Sequence, residues 1–275
     1  MEKTICIIGG DERSKELASI LEMEGLHVKV YDEKNYLDIK EFLENVECVV
    51  GGIPFSRDGE TINAPYIQKK ISVENLFVNM KKQKKLIAGG FSEKIKDLAG
   101  RYGIELYDFL DDEDFAIYNA IPTAEGAIEI AMKNTKNTIY SSNCLVLGYG
   151  RIGKILTDRL KGLHANITVA ARKSEDFAWI NAMGYDYVEY SKLDKILPNI
   201  DILFNTVPSL VIKEKELSNM KKDSLIIDLA SKPGGIDFDF AEKINAKAKL
   251  YLGLPGKVAP QSVAKYMLNK VMKVI

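Results

Sequence analysis

"CLVLGYGRIGKILTDRL", residues 144–160, decides the fold. An apolar run of strand character ends in a glycine turn and gives way to a pattern of helical period. The turn contains Gly148-x-Gly150-x-x-Gly153, the spacing of a dinucleotide-binding unit. Gly148 permits the tight turn, Gly150 lets the backbone approach a pyrophosphate, and Gly153 lets the helix pack on the strand. The helix N-terminus offers N–H groups and positive potential to the phosphates. Tyr149, Arg151 and Ile152 share the turn and join the glycines as candidate cofactor-binding residues. Three glycines alone are a weak signal. The strand before them, the helix after them and a second strand at the right distance strengthen it.

That second strand is "NITVAARKSE", residues 166–175. It places Arg172 close to twenty residues after the turn, where a ribose-binding Asp or Glu is expected. A carboxylate accepts hydrogen bonds from ribose hydroxyls but repels a 2′-phosphate. Arginine does the reverse, since its planar fork pairs with phosphate and its face stacks on adenine. Lys173 adds a second charge. The pair predicts NADP(H) rather than NAD(H). The bland reading is two solvated residues at a strand end.

Working outward, short apolar runs alternate with amphipathic stretches along nearly the whole chain. "TICIIGG", "HVKVY", "ECVVGG", "KLIAGG" and "IELYDF" are strand candidates in the first half. "NCLVLGYG", "NITVAAR", "YDYVEY", "DILFNTV", "SLIIDLAS" and "AKLYLG" follow in the second. This rhythm predicts an α/β protein with two doubly wound parallel-sheet domains, of Rossmann or flavodoxin type, and an interdomain cleft. The expected first domain covers residues 1–118, a connecting helix 119–137, and the nucleotide domain 138–259. Asp111 to Asp114 suit a helix N-terminus, and Pro122 is expected to interrupt or restart the helix. Residues 260–275 carry Val263, Tyr266, Met267, Val271 and Ile275 at helical spacing, an amphipathic helix expected to fold back on the first domain.

Composition narrows the function. At 46% hydrophobic and 28% charged with a net charge of -1, the chain has the balance of a soluble globular protein and no nucleic-acid or membrane surface. Lys81, Lys82, Lys84 and Lys85 are expected at a solvated helix end. The N-terminus enters a strand pattern with no signal peptide, so a cytoplasmic location is expected. Cys6, Cys48 and Cys144 sit in apolar runs and are expected as buried, reduced thiols. With no paired cysteine spacing and two histidines, no metal site is expected.

In a doubly wound sheet the ligand lies beyond the carboxyl ends of the strands. Three loops should face the nicotinamide: Asn205 to Ser209, with Thr206, Val207 and Pro208; Asp228 to Phe238; and Gly253 to Pro260. His27 and His164 fall away from these loops. Acid–base work is left to Glu125, Asp228, Lys232, Tyr118 or water, with no choice among them. Lys232 and Arg13 are the candidate partners for substrate carboxylates, with Arg57 behind them. The turn "CIIGGDERSKEL" lacks the third glycine in place, so a second nucleotide site there is not expected.

"IIGGDER", "DFAIYNAIPTAEGAI", "LVLGYGRIGK", "ITVAAR", "NTVPS", "DLASKPGGIDF" and "GLPGKVAP", in this order and spacing, resemble the A subunit of dipicolinate synthase from spore-forming bacteria. The resemblance covers essentially the whole chain. The last three stretches also look like loops of alanine dehydrogenase and transhydrogenase nucleotide domains, at the level of fold. The resemblance implies oxidation of dihydrodipicolinate, or of its hydroxylated tetrahydropyridine precursor, to dipicolinate. NADP⁺ would take the hydride, in the cytoplasm of the mother cell, with the enzyme's second, flavoprotein-like subunit as partner. It further suggests that Asn205, Thr206 and Pro208 pack by the nicotinamide. Lys232 and the Gly234–Gly235 backbone would hold one carboxylate, and Arg13 or the Thr123–Glu125 turn the other end. Lys232 stands where Arg would also fit the family, keeping the charge but losing the bidentate fork. Another NADP-linked dehydrogenase of the alanine dehydrogenase-like type, or a non-catalytic NADP-binding partner subunit, stays open, as does a homo-oligomer.

Overall fold

The computed structural model describes residues 4–31, 38–80 and 85–275. Lys81, Lys82 and Lys84 lie outside the described residues. The chain runs β1 (Thr4–Ile7), α1 (Glu12–Met23), β2 (His27–Val30), α2 (Ile39–Phe42), β3 (Cys48–Val50), α3 (Val73–Asn79), β4 (Lys85–Ala88), α4 (Glu93–Tyr102), β5 (Glu105–Asp108) and α5 (Glu113–Asn134). It continues β6 (Asn143–Leu147), α6 (Arg151–Gly162), β7 (Asn166–Ala171), α7 (Ser174–Ala182), β8 (Asp186–Glu189), β9 (Ile202–Asn205), α8 (Glu214–Ser218), β10 (Leu225–Asp228), α9 (Phe238–Lys243), β11 (Lys247–Leu250), α10 (Leu254–Val258) and α11 (Pro260–Val274). Chain contacts define one unit from residues 1–118 and 259–275 and another from residues 119–258.

The first unit holds a five-stranded parallel sheet in the order β2-β1-β3-β4-β5. Strand residues alternate between two cores, as the period of 2 requires. Cys6, Ile8, Val49, Leu86 and Ala88 face Phe42, Leu76, Phe77 and Ile95. Ile5, Ile7, Cys48, Val50 and Ile87 face α1 and α11 through Leu17, Leu21, Val263, Met267 and Val271. These side chains are buried, and each Val, Leu, Ile, Phe or Met among them contributes about 1.5–3 kcal/mol of hydrophobic stabilisation. Lys270 adds a 2.7 Å ion pair to Asp112 that is mostly shielded from water. Lys85 lies in β4, its Nζ donating to the Val274 carbonyl at 2.7 Å.

Three adjacent strands of this sheet, β1, β3 and β4, run into glycine pairs: Gly9–Gly10, Gly51–Gly52 and Gly89–Gly90. Where β1 and β3 meet, the reason is backbone contact. A Cβ on Gly52 would lie 2.4 Å from the Gly10 Cα, so Gly52 tolerates no side chain in that direction. Beside them, Asp11 caps α1 and receives the Arg13 backbone N–H at 3.1 Å.

The second unit holds a six-stranded parallel sheet in the order β11-β10-β9-β6-β7-β8, the arrangement of a Rossmann domain. One face packs Cys144, Val146, Val169, Ile202, Phe204 and Ile227 against Leu156 and Leu160 of α6 and Ala124, Ala127 and Ala131 of α5. The other packs Leu145, Leu147, Ala170, Leu203 and Ile226 against Leu217 and Ala241.

Two expectations need correction. Pro122 does not interrupt its helix: α5 runs unbroken from Glu113, not from near Asn119, to Asn134. A proline removes a single rung and costs about 3 kcal/mol in a helix interior. Here the buried stripe Ala116, Ala120, Ala124, Ala127 and Ala131 continues past it and holds the helix in place. The stretch Gly253 to Pro260 is also not an open loop, because Leu254–Val258 form α10. Gly126 admits α10, as a Cβ there would meet Val258 Cγ2 at 2.8 Å.

All three cysteines are buried and free. Burial pushes each thiol up to about 12. The thiolate is the reactive form. A thiol reagent at pH 8 is therefore expected to label none of them in the folded chain and all three after unfolding, and fast labelling of the native chain would contradict this burial.

Candidate active site: a nucleotide turn and a braced floor

The glycine turn joins β6 to α6 with Gly148 at φ 93°. A Cβ on Gly148 would lie 2.6 Å from Thr206 Oγ1, and one on Gly153 only 2.1 Å from the Gly148 carbonyl oxygen. Gly150, the N-cap of α6, differs. No heavy atom lies within 4 Å of its notional Cβ, and no side chain caps the helix. First-turn N–H groups of a helix lack intrahelical partners and need an acceptor. An open glycine at an uncapped helix N-terminus fits an approaching pyrophosphate, and Gly148 and Gly153 hold it open. Tyr149 is buried and Ile152 packs on the core, so these two would serve a cofactor through backbone alone. Arg151 is exposed at the first helical position.

Arg172 and Lys173 follow β7 and are both exposed, with Lys173 at the N-cap of α7. Tyr190, just past β8, was not singled out by the sequence. Burial pushes its phenol up to about 12, while the Arg172 charge and a hydrogen bond with the Gly148 backbone pull the other way. Tyr190 thus stands near both the positive strand end and the glycine turn. Its only sequence signal was its place at the end of the third strand of the unit, beside the end of the second.

The floor of the site is a polar brace between β9 and β10. Asp228 is fully buried, and its Oδ1 accepts from Asn205 Nδ2 at 2.7 Å and the Ala230 N–H at 3.0 Å. Its Oδ2 accepts from the Gly235 N–H at 2.7 Å. Asn205 also donates to the Val207 carbonyl at 3.0 Å and accepts from the Val207 N–H at 3.1 Å. Thr206 bonds the Leu147 carbonyl through Oγ1 at 2.8 Å and through its N–H at 3.0 Å. Asn205 is therefore a sealed fastener. Thr206 and Val207 are half-exposed and Pro208 is exposed, leaving them as the surface that the loop presents.

The remaining candidates separate. Asp228 has both oxygens engaged by the protein, which removes it as a base. The Gly234–Gly235 backbone does not present free donors to a carboxylate. Gly234 donates to the Ser231 carbonyl at 2.9 Å and Gly235 to Asp228, because the pair is folded down on the brace. Lys232, beside it, is exposed. Glu125 is exposed on α5, 3.9 Å from Arg159 Nε. Thr123 is buried, its hydroxyl donating to the Asn119 carbonyl at 3.2 Å. In the first unit, Tyr118 stacks on Tyr266 with ring centroids 4.0 Å apart. Arg13 is not available to a substrate. It is 3% exposed, and its Nε and Nη2 each bond Asp11 at 2.8 Å while Nη2 also bonds the Ile53 carbonyl.

Among the described residues no group of His, Cys, Asp and Glu is placed to hold a metal ion, and no helix is long and apolar enough to cross a membrane.

Comparison with known proteins agrees with this geometry. Residues 4–110 match the model for the N-terminal domain of the dipicolinate synthase A subunit. Residues 122–233 match that for the D-isomer specific 2-hydroxyacid dehydrogenase NAD-binding domain. The second unit is thus a nicotinamide-nucleotide domain of dehydrogenase type. The crystal structure of the Bacillus halodurans dipicolinate synthase A subunit superposes with a TM-score of 0.87 at 30% identity, covering 100% of this chain and 98% of that one. Escherichia coli D-lactate dehydrogenase, at 17% identity and a TM-score of 0.67 over 98% of this chain and 96% of its own, shares the fold. The A subunit of Bacillus subtilis dipicolinate synthase is 32% identical over 98% of this chain and 95% of its own length. An open nucleotide turn, a braced floor and end-to-end similarity converge on one assignment: the chain belongs to the family of dipicolinate synthase A subunits.

Proposed function

We propose that the chain oxidises dihydrodipicolinate, or the hydroxylated tetrahydropyridine dicarboxylate that loses water to give it, to dipicolinate with NADP⁺. The observation that carries the cofactor half is the exposed Arg172–Lys173 pair at the end of β7, in the unit whose turn opens at Gly150. NADP⁺ supplies the two-electron acceptor. The protein's own work is binding and alignment: the α6 N-terminus takes the pyrophosphate, Arg172 and Lys173 the 2′-phosphate, and Thr206, Val207 and Pro208 the nicotinamide side. Lys232 takes one substrate carboxylate. Loss of a hydride and a proton makes the ring aromatic, so positioning supplies most of what the reaction needs. The proton goes to Glu125 or to water. A second, flavoprotein-like subunit works with the chain, in the mother-cell cytoplasm of a sporulating bacterium.

Arg172→Asp tests the cofactor choice. A carboxylate there repels the 2′-phosphate and accepts from the ribose hydroxyls. We expect kcat/KM for NADP⁺ to fall about a hundredfold and NAD⁺ to become the better substrate, a swing consistent with losing a charge-assisted phosphate contact. Unchanged NADP⁺ kinetics would sink the assignment.

The sealing of Asp228 favours a second reading, a non-catalytic NADP-binding subunit, because it removes one of the few candidate bases. Assaying NADPH formation by the chain with and without the flavoprotein-like partner separates the two. Turnover by the chain alone excludes the second.

A further inference from the structure

A nucleotide-binding βαβ unit holds its nucleoside between the glycine turn after the first strand and the end of the second, with phosphate at the helix N-terminus. The first unit repeats that order with β1, α1 and β2. A cavity of about 360 Å³ lies at the corresponding place, lined by the Gly9–Gly10 turn, the start of α1 and the end of β2. That volume falls among small-molecule sites, about 300–1,000 Å³. Every residue lining it belongs to the first unit.

The strand side of the cavity is apolar, with Ile7 ending β1 and Val30 ending β2; Ile67 closes it from the loop between β3 and α3. Two polar side chains line it from the first turn of α1. Ser14 is 4% exposed, and its hydroxyl has no hydrogen-bond partner among the described residues. A Cβ on Gly10 would lie 1.9 Å from Ser14 Oγ, so glycine at this position leaves the hydroxyl its room. A buried hydroxyl without a partner is costly, and a ligand that bonds it removes the cost. Asp11 Oδ1 accepts twice from Arg13, through the backbone N–H and Nε, whereas Oδ2 accepts only from Nη2. Oδ2 therefore keeps capacity for a ligand hydroxyl.

The charges of the lining are Asp11 and Lys15, and each is paired, with Arg13 at 2.8 Å and with Glu12 at 2.9 Å. Asp11 also stands as the N-cap of α1, where a phosphate would otherwise sit. At the rim the Tyr66 ring is held in place: its hydroxyl donates to Glu12 Oε1 at 2.7 Å, and Lys15 Nζ lies 3.7 Å from its centroid. An apolar body, a fixed aromatic ring and two hydroxyl-binding groups, closed to phosphate, suit a base joined to a sugar.

We propose that the first unit binds an uncharged nucleoside in this cavity, the base among Ile7, Val30 and Tyr66 and the sugar hydroxyls on Ser14 Oγ and Asp11 Oδ2. The site lies within one unit and is independent of the substrate and coenzyme assignments above.

Calorimetric titration of the full chain with adenosine and with adenosine 5′-monophosphate tests it, with thermal unfolding as the check that each variant folds. Val30 is exposed, so Val30→Trp fills the cavity without disturbing the core, and the binding that counts is the part this variant removes. Adenosine should bind the wild-type chain at one such site, and the monophosphate there about tenfold more weakly or worse, because Asp11 repels it. Ser14→Ala should weaken adenosine about three- to tenfold, the range for one neutral hydrogen bond. A wild-type chain that binds no adenosine overturns the proposal, as does adenosine binding that Val30→Trp leaves intact. Monophosphate binding as tight as that of adenosine, and equally lost in Val30→Trp, overturns the selection for an uncharged ligand.

Discussion

Gly153→Ala is expected to abolish nucleotide binding and to destabilise the chain by about 3 kcal/mol or more, beyond the usual range for one added methyl group. The added carbon would sit 2.1 Å from the Gly148 carbonyl oxygen and 3.0 Å from its carbonyl carbon. Both are backbone atoms, and neither can rotate away. Gly148 is hemmed in on its other side by Thr206 Oγ1 and Val207. Relief therefore requires α6 to move off β6, which shifts the N–H groups at Gly150 out of reach of a pyrophosphate. Thr157 is carried along, as its hydroxyl bonds the Gly153 carbonyl at 2.7 Å. Urea unfolding and fluorescence titration with the reduced nicotinamide coenzyme read the two effects. A variant of wild-type stability that binds cofactor normally would show that the helix tolerates displacement and that the turn is not the binding element.

Asp228→Asn is expected to destabilise by about 2–4 kcal/mol, the range for a buried charged acceptor replaced so that a donor loses its partner. The three groups aimed at Asp228 all donate: Asn205 Nδ2, the Ala230 N–H and the Gly235 N–H. An asparagine amide must turn its own NH₂ toward one of them in either orientation. Rotating Asn205 does not help, because its carbonyl and amide already match the Val207 N–H and carbonyl. Chemical denaturation together with steady-state kinetics distinguishes this from a catalytic role. A general base lost at Asp228 would lower kcat and leave the unfolding midpoint where it was. A brace lost there lowers the midpoint and disturbs Thr206 to Pro208 as well.

Much of the fold was legible because it rests on local periodicity. Every strand run named from the sequence is a strand, and the glycine turn at Gly148 to Gly153 sits between β6 and α6 as its spacing required. What failed depended on partners distant in sequence. Pro122 reads as a break when its own helix is taken alone, without the alanine stripe that packs on either side of it. "GLPGKVAP" reads as a loop until Gly126, more than a hundred residues earlier, provides room for α10. The polar residues were harder. Arg13, Asp228 and the Gly234–Gly235 pair carry the right chemistry for a ligand, yet hydrogen bonding turns each of them inward. Sequence shows which groups can bond; only packing shows which already have. Tyr190 is the converse case, unremarkable in sequence and placed at the turn by strand order.

Asp11 occupies, relative to β1, the place that Gly150 occupies relative to β6, two residues after the first glycine of its turn. Its carboxylate caps α1 and faces Arg13. The helix end that otherwise attracts phosphate thus carries its own built-in anion, with that anion's counter-ion beside it. A chain assembled from two similar halves is in this way kept from having two competing docking stations for one coenzyme. Of the two glycine turns, the one before α6 is the one whose helix end stays open to a phosphate.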